Sequence, residues 1–287
     1  MREFQSCKLA MQSCLETKTF AVAHLYKEEK TMDMHIHDCY EIYYSISGGK
    51  QFLIDNKFYS IAPGDVFVIN QYESHYLTQI EACVHERIVL SVHPEFVKSL
   101  SRGDVDLNRC FQERGAGFSH KLSLSKEQQR DFLYLINKIT NADEFAHEVI
   151  ETSAFSELLV LLNKAYRTPL EAMIKEKEAV RYNPQVDEIL SYINRNIANP
   201  IRIDDLSETF HLSESYICRI FKQATGTTVN KYIIARRISI AKAYLSDGLS
   251  VQETYEQSGF LDYSSFFKAF TKTVGISPKK YAQASIK

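Results

Sequence analysis

The spacing of apolar residues changes once along the chain, from a period of two to a period near that of a helix. From Thr19 to about Val92, short runs rich in β-branched and aromatic residues alternate with turn signals such as Gly48-Gly49, Asp55-Asn56 and Pro63-Gly64. The clearest runs are residues 41–47, 51–54 and 65–69. Short strands at regular spacing predict a small antiparallel β-barrel or sandwich.

The helical spacing begins at Ser125. Ser125 and Gln128 have the spacing of a capping box, and apolar residues follow at helical intervals. A second helix is predicted from near Asp143, with the apolar stripe Phe145, Val149, Thr152, Phe155, Leu158, Leu159, Leu162 and Tyr166. Two hypotheses account for this stripe equally well: it packs on the barrel, or it pairs with a second protomer.

A polar stretch separates these helices from the rest of the chain. Residues 167–183 contain Pro169 and the charge run 175–178, which predicts a linker, with a solvated helical extension as the alternative. From residue 184 onward the pattern is entirely helical. An amphipathic helix carrying Val186 to Ile197 is followed by predicted helices near 203–210, 213–224, 228–246, 251–258 and 263–274.

The helical part contains an internal repeat with an offset of 49 residues. Leu212-Ser213, Ile217, Arg219, Phe221, Gly226 and Tyr232 are echoed by Leu261-Asp262, Phe266, Lys268, Phe270, Gly275 and Tyr281. Each unit predicts a short helix, a tight turn and a longer capped helix, which is the composition of a helix-turn-helix. The alternative is a pair of helical hairpins that contacts only protein.

The longer helix of each unit has residue types that suit docking in DNA. Its apolar side would rest on a small core, and its opposite side would enter a major groove about 12 Å wide. The predicted DNA-facing residues are Ser213, Glu214, Ser215, Cys218, Arg219 and Lys222 in the first unit, and Tyr263, Ser264, Phe267, Lys268 and Lys272 in the second. Arg236 and Arg237, in the connecting helix, are predicted either to contact phosphate or to hold that helix in place, with a solvated surface position as the alternative.

The charge distribution permits this function. The whole chain carries a formal charge of −2, but from residue 184 onward 13 Lys and Arg residues stand against 10 Asp and Glu residues. The six cysteines form no CxxC pair, which disfavours a zinc framework or a disulfide framework. No apolar run reaches the roughly 20 residues of a membrane span, and no signal-peptide core follows Met1, so we expect a cytoplasmic protein.

Residues 186–281 resemble the DNA-binding domain of the AraC/XylS family of bacterial transcription regulators. The most specific matches are Gly259-Phe260, Asp262, Ser264, Phe266, Lys268, Phe270, Gly275, Ser277-Pro278 and Tyr281. The resemblance implies DNA contacts by Ser215 and Arg219 and by Ser264 and Lys268, recognition helices one DNA turn apart, and RNA polymerase as a partner. The chain departs from the family at Thr254-Tyr255, where Ile-Ala is usual, which puts the local packing in question.

The N-terminal half resembles, more weakly, the cupin-type sensor domain found in this family. His35, His37 and Glu41 have the spacing of side chains on one face of a strand, and His75 would come from a neighbouring hairpin. Three interpretations remain open: a pocket for an organic effector, a structural role, and a metal site made by His35, His37, Glu41 and His75. The predicted pocket wall is His37, Glu41, Tyr43, His75 and Arg87, with Arg87 facing an anionic group or paired with Glu41.

These inferences predict a two-domain α+β protein. Residues 1–120 would form a cupin-like antiparallel β-barrel sensor, 121–166 a helical dimerisation segment, 167–183 a linker and 184–287 an all-α domain with two helix-turn-helix units. We expect a sequence-specific DNA-binding transcription regulator, most often an activator in this family, that works as a homodimer on double-stranded DNA and needs no cofactor. Its barrel would sense a small-molecule effector or mediate dimerisation. The alternative is a metal-dependent cupin enzyme with a helical appendage.

Overall fold

The computed structural model describes residues 3–28, 35–49, 51–78, 84–115, 118–142, 145–166 and 183–285. The predicted linker lies outside these ranges except for Asn183, and so does Asp143 at the expected start of the second helix. Among the described helices, none has both the length and the apolar character needed to cross a lipid bilayer.

The strand-like half forms two antiparallel sheets. The strands are β1 (Phe20–Glu28), β2 (Tyr40–Ser45), β3 (Gln51–Ile54), β4 (Lys57–Ser60), β5 (Val66–Ile69), β6 (His75–Thr78), β7 (Val84–Val92) and β8 (Lys121–Leu122). One sheet has the order β1-β7-β2-β5-β8 and the other the order β4-β3-β6. The prediction of a small antiparallel β-domain is confirmed.

Strand β2 shows how the larger sheet separates two cores. Its residues are all buried, because side chains alternate between the two faces and both faces are covered. Ile42 and Tyr44 belong to a core shared with the helices that follow the barrel. Tyr43 belongs to the barrel interior, where it packs with Phe52 and Phe67.

Within the described residues, five helices accompany the barrel: α1 (Cys7–Thr17), α2 (Pro94–Leu100), α3 (Arg109–Gln112), α4 (Lys126–Thr140) and α5 (His147–Tyr166). The capping box of Ser125 and Gln128 is present at the start of α4. Helix α1 was not predicted; it buries Ala10 and Cys14, and Cys7, Met11 and Leu15 pack against the same core.

Helix α5 divides its apolar stripe between two environments. Phe155, Leu158, Leu159 and Leu162 are buried in the core of the large sheet. Phe145, which precedes the helix, and Val149 in its first turn are exposed to 87% and 65%. The C-terminal part of the stripe therefore packs on the barrel, and its N-terminal part does not.

The C-terminal domain is helical throughout its described residues. The helices are α6 (Pro184–Arg195), α7 (Ile203–Phe210), α8 (Glu214–Thr225), α9 (Val229–Ser246), α10 (Val251–Gln257), α11 (Tyr263–Val274) and α12 (Pro278–Ser285). The predicted boundaries of α7 to α11 agree with these within one residue. Each repeat unit has its own core, built around Phe221 in the first and around Phe266 and Phe270 in the second.

Gly259 fixes the turn of the second unit, and its replacement tests this packing. Its φ is +85°, and a Cβ there would lie 2.2 Å from the Ile197 carbonyl oxygen and 3.0 Å from the Ala198 Cα. Gly259→Ala is expected to lower the free energy of unfolding by about 3 kcal/mol, since backbone must move as well as adopt a left-handed conformation. Urea unfolding followed by circular dichroism measures the change.

Gly248 provides the matched control. Its φ is +90°, but a Cβ there would meet no atom within 4 Å. Gly248→Ala should therefore cost only the backbone term, about 1 kcal/mol. Equal losses of unfolding free energy in the two variants would contradict the close approach of Gly259 to the Ile197 carbonyl oxygen and the Ala198 Cα.

Candidate DNA interface and barrel site

Helix α8 of the first unit is capped at both ends and anchored on one side. The Ser213 hydroxyl accepts a hydrogen bond from the Tyr216 amide at 3.4 Å, and Gly226 ends the helix with φ +68°. Ile217 and Phe221 are fully buried beneath it. The cap and the buried side chains together fix which face of α8 points outward.

Helix α11 of the second unit repeats the arrangement. An Asp262 carboxylate oxygen accepts from the Ser265 amide at 2.8 Å, and Gly275 ends the helix with φ +86°. Hydrogen bonds from Ser265 lower the pKa of Asp262, so the cap is a carboxylate near the positive end of the helix. Phe266 and Phe270 form the buried side.

The outward faces of both helices are open to solvent. Exposed residues on α8 and its cap are Ser213, Glu214, Ser215, Cys218, Arg219 and Lys222, and on α11 they are Tyr263, Ser264, Phe267, Lys268 and Lys272. These are the residues that the sequence predicted to face DNA in the two units. Their exposure is required for DNA contact, and their individual contacts remain a prediction.

Tyr255 occupies the position where the family usually has a small residue. Its ring packs edge-on against Tyr263, with centroids 5.8 Å apart, and its hydroxyl donates to the Leu261 carbonyl at 3.3 Å. The preceding Thr254 is fully buried. The bulky side chain is therefore accommodated at the edge of the unit, beside the start of α11, rather than in its core.

Arg236 and Arg237 of the connecting helix α9 have protein partners. Arg236 bonds to Asn194 at 2.9 Å and to the Asp55 carboxylate, and Arg237 donates to the Ile197 and Asn199 carbonyls at 3.1 and 2.7 Å. Both guanidinium groups are directed into the protein. In this structure these two arginines hold helix α9, which is one of the roles considered for them, and their contact with DNA stays a prediction.

Polar contacts join the barrel to the helical domain. The Asp38 carboxylate accepts from Lys242 at 2.6 Å and from the Tyr281 hydroxyl at 2.7 Å. The Tyr72 hydroxyl is 2.7 Å from that of Ser246, and the Tyr232 hydroxyl donates to the Asp55 carbonyl at 2.9 Å. We call this set the domain clamp: Asp38, Asp55 and Tyr72 from the barrel, with Tyr232, Arg236, Lys242, Ser246 and Tyr281 from the helical domain.

Apolar contact accompanies the clamp. Leu53 and Tyr76, from strands β3 and β6, are buried in the same core as Phe221 of the first unit. A Cβ on Gly226 would lie 3.1 Å from the Tyr76 ring. The first helix-turn-helix unit therefore packs directly on the smaller sheet of the barrel.

A cluster of ionisable groups lies at one end of the barrel. Glu41 Oε2 is 3.0 Å from His37 Nε2 and 3.6 Å from His75 Nε2. His35 joins them through paired backbone hydrogen bonds with His75, of 3.2 and 3.1 Å. We call these four residues the barrel cluster; three of them are buried, and His35 is half-buried.

The charges within the barrel cluster are mutually stabilising. Burial opposes ionisation of Glu41, but attraction to His75 and the hydrogen bond from His37 outweigh it, so the pKa of Glu41 lies well below its usual value. Burial also opposes protonation of His75, yet the Glu41 carboxylate raises the pKa of that imidazole. The cluster therefore holds a carboxylate surrounded by imidazoles.

The residues of the predicted pocket wall lie at different points along the barrel strands. His37, Glu41 and His75 lie together, but the Tyr43 hydroxyl is 2.5 Å from His85 Nε2, a residue that the sequence analysis missed. Arg87 is buried opposite Ser45, whereas Glu41 is opposite Ser91. Four residues along a strand span about 13 Å, so the Glu41 and Arg87 positions are at opposite ends of the paired segment.

A second buried ionic group was also missed. Arg114 makes a two-pronged contact with Glu73, at 2.7 and 3.0 Å, and His120 Nε2 is 3.1 Å from the same carboxylate. Burial opposes ionisation of Glu73, but His120 and Arg114 lower its pKa to about 2. This group ties the segment before β6 to the chain between α3 and β8. Its partners lie more than 40 residues apart, so no local pattern could reveal it.

Comparison with known protein families identifies both domains. A profile described as an AraC-like ligand binding domain matches residues 19–153, and one described as a helix-turn-helix domain matches residues 206–284. The chain belongs to the AraC/XylS family of transcription regulators. It is accordingly a DNA-binding transcription regulator with an N-terminal ligand-binding domain, as the sequence predicted.

Proteins of similar length match most of this chain. The chain is 24% identical over 276 residues to the transcriptional activator RhaR of Shigella dysenteriae, a match that covers 93% of this chain and 92% of that protein. It is 24% identical over 302 residues to the melibiose operon regulatory protein of Escherichia coli, covering 96% and 95%. Apo ToxT from Vibrio cholerae is similar to the structure with 18% identity and a TM-score of 0.40, covering 92% of this chain and 97% of ToxT.

Removal of either member of the Asp38–Lys242 pair should leave the other charge without its ionic partner, with Lys242 buried and Asp38 partly buried. Lys242→Met is expected to lower the free energy of unfolding by about 2 kcal/mol, and Asp38→Asn by a similar amount. The double variant should lose less than the sum, because the second change removes the charge that the first left unpaired. Urea unfolding of the four proteins gives the coupling energy; strict additivity would show that Asp38 and Lys242 do not interact.

Proposed function

We propose that this AraC/XylS family regulator contacts DNA through the outward faces of α8 and α11 and that it activates transcription in response to a ligand sensed by the barrel. The assignment of α8 and α11 as the DNA-contacting helices rests mainly on one observation. Both helices bury an aromatic anchor and still leave their opposite faces, including a cation each, open to solvent.

The proposed contacts divide by chemistry. Arg219 and Lys268 are positioned to donate to guanine or phosphate, while Ser215 and Ser264 are short enough to approach base edges. The Arg219 guanidinium lies 5.0 Å from the centre of the Tyr216 ring, a contact that restricts its rotamers before DNA arrives. Arg236 and Arg237 are left out of the proposed interface because their donors are engaged within the protein.

The proposed outcome of DNA binding is activation through RNA polymerase in the cytoplasm. RhaR, a relative of similar length, is named a transcriptional activator. The proposal extends that outcome, and RNA polymerase as the partner, to this chain. The arrangement of the two units on one long helix, α9, favours two contacts on the same side of the duplex, one helical turn apart.

We propose further that the regulator is a homodimer formed through the helices that follow the barrel. Among the described residues, five large apolar side chains are exposed there: Leu133 and Tyr134 on α4, Phe145 before α5, Val149 in its first turn and Val160 further along it. Large exposed apolar side chains on these neighbouring helices favour association with a second copy. Dimerisation would also place four DNA-binding helices on one operator.

The enzyme alternative has less support. It requires catalysis at the barrel cluster, whereas both full-length relatives described above are regulators of gene expression. No observation specific to this chain favours a reaction over ligand sensing at that position.

Selection of binding sites from a random DNA library tests the proposed function, and two variants test the assigned residues. Arg219→Ala and Lys268→Ala should each weaken specific binding by about 1–3 kcal/mol if they contact bases, and should relax the preference at one position of the site. A loss that is uniform across sequences would instead indicate a phosphate contact.

Lys98→Ala is the matched control, because Lys98 is an exposed cation on helix α2 of the barrel. Its affinity for the selected site should equal that of the unmodified protein in the same salt. A footprint that neither Arg219→Ala nor Lys268→Ala changes would remove α8 and α11 from the proposed interface.

The dimer proposal is tested by placing charge on the exposed apolar group. Phe145→Asp combined with Val149→Asp is expected to raise the dimer dissociation constant at least about tenfold, since charge cannot be buried there without a partner. Sedimentation velocity over a concentration series measures it. Val105→Asp, at an exposed apolar residue elsewhere, should have no effect; an unchanged dimer in the double variant would place the interface on another surface.

A further inference from the structure

We propose that the effector of this regulator is a divalent transition-metal ion bound by the barrel cluster, His35, His37, Glu41 and His75. This inference rests on the proposed function, because the metal ion can change DNA affinity only if the protein binds DNA as proposed. The binding site itself rests on the geometry of four side chains.

The distances suit a single ion. Each residue offers one ligand atom, and all four atoms lie within 4.8 Å of one another. Ligands bonded to one transition-metal ion at about 2.0–2.2 Å are separated by about 3–4.5 Å from each other. The measured 3.0 and 3.6 Å from Glu41 Oε2 to the two imidazole nitrogens fall in that range.

Hydrogen bonds to backbone carbonyls fix the orientation of two of the imidazole rings. His37 Nδ1 is 2.9 Å from the Cys39 carbonyl oxygen, and His75 Nδ1 is 2.9 Å from the Glu73 carbonyl oxygen. A carbonyl can only accept, so each Nδ1 carries a hydrogen and each Nε2 points toward the centre of the cluster. Backbone carbonyls that hold the second ring nitrogen are the usual support of metal-binding histidines.

One of these central nitrogens lacks a hydrogen-bond partner. His75 is 1% exposed, and within the described residues its Nε2 makes no hydrogen bond. Buried polar nitrogens are rarely left in this state. A cation between His75 Nε2, His37 Nε2 and Glu41 Oε2 would satisfy all three atoms at once.

The set of donor atoms indicates the kind of ion. Three imidazoles and one carboxylate suit iron, cobalt, nickel, copper or zinc. Calcium and magnesium prefer sites built from oxygen atoms alone. The scaffold is also stiff, because Glu41 lies within strand β2 and His75 begins strand β6.

The barrel cluster is connected to the domain clamp by adjacent residues. His37 precedes Asp38, which holds Lys242 and Tyr281, and the His37 carbonyl accepts from the Tyr72 amide at 3.0 Å. An ion that draws His37 and His75 together would therefore act on the segments that hold α9 and α12. A ligand changes DNA affinity in this way if it binds better to one arrangement of the two domains than to the other.

Titration of the metal-stripped, full-length protein with Co²⁺ tests the site. We expect one Co²⁺ per chain, visible d–d absorption bands typical of nitrogen and oxygen ligands, and release of protons on binding. Glu41→Gln and His37→Gln should each weaken Co²⁺ binding about 100-fold, because each removes a directly coordinating atom. Circular dichroism and thermal unfolding establish that these variants are folded.

His211→Asn is the control for binding by surface histidines. His211 is exposed in the helical domain, and its backbone has φ +53°, which Asn tolerates. Its Co²⁺ affinity should match that of the unmodified protein. Substoichiometric Co²⁺ binding, or equal binding by Glu41→Gln, His37→Gln and His211→Asn, would overturn the metal site.

DNA affinity, measured with and without Co²⁺ on the selected operator, tests the role as effector. A change of about tenfold that is lost in Glu41→Gln supports it. Stoichiometric Co²⁺ binding with unchanged DNA affinity overturns the effector role. If the protein binds DNA but takes up no Co²⁺, the metal inference alone is overturned. If it takes up Co²⁺ but binds no DNA with or without the ion, the proposed function is overturned instead.

Discussion

The structure depends on one constraint: a helix of twelve residues is not stable in water unless one side is buried. Helices α8 and α11 each have this length. Phe221 and Phe270, fully buried, supply the anchorage, and the caps at Ser213 and Asp262 satisfy backbone groups that the short helices cannot pair internally. The faces available to DNA are therefore set by the positions of the buried aromatic residues.

The same constraint explains why the two units differ in their surroundings. The second unit closes its core with its own residues, including Tyr281 of α12. The first unit completes its core with Leu53 and Tyr76 of the barrel. Its packing therefore includes the sensor domain, so movement of strands β3 or β6 reaches the base of α8 through direct contact. This is a physical connection between the two domains that does not require a change within the helices themselves.

The ion pairs at the boundary favour one relative arrangement of the two domains over others. Lys242 is 5% exposed and lies against Asp38, and Arg236 lies against Asp55. Buried ion pairs add little net stability, because the cost of removing both groups from water offsets their attraction, but they strongly disfavour any arrangement that leaves one group unpaired. These pairs therefore favour one relative arrangement of the two domains. The barrel cluster lies beside this boundary, because His37 directly precedes Asp38 and His75 directly precedes Tyr76 in the chain.

The sequence alone determined the family and the longer elements, because these depend on local spacing, but it missed helix α1 and other short helices. Periods of two and 3.6 residues placed the strands and helices, glycines marked helix ends, and the 49-residue repeat identified two helix-turn-helix units whose outward faces the structure leaves exposed. Only the tertiary structure decided which distant residues meet: Asp55 with Arg236, Asp38 with Lys242, Glu73 with Arg114, and Tyr43 with His85. Such pairs depend on sheet register and domain packing, which leave no periodic trace in a single chain.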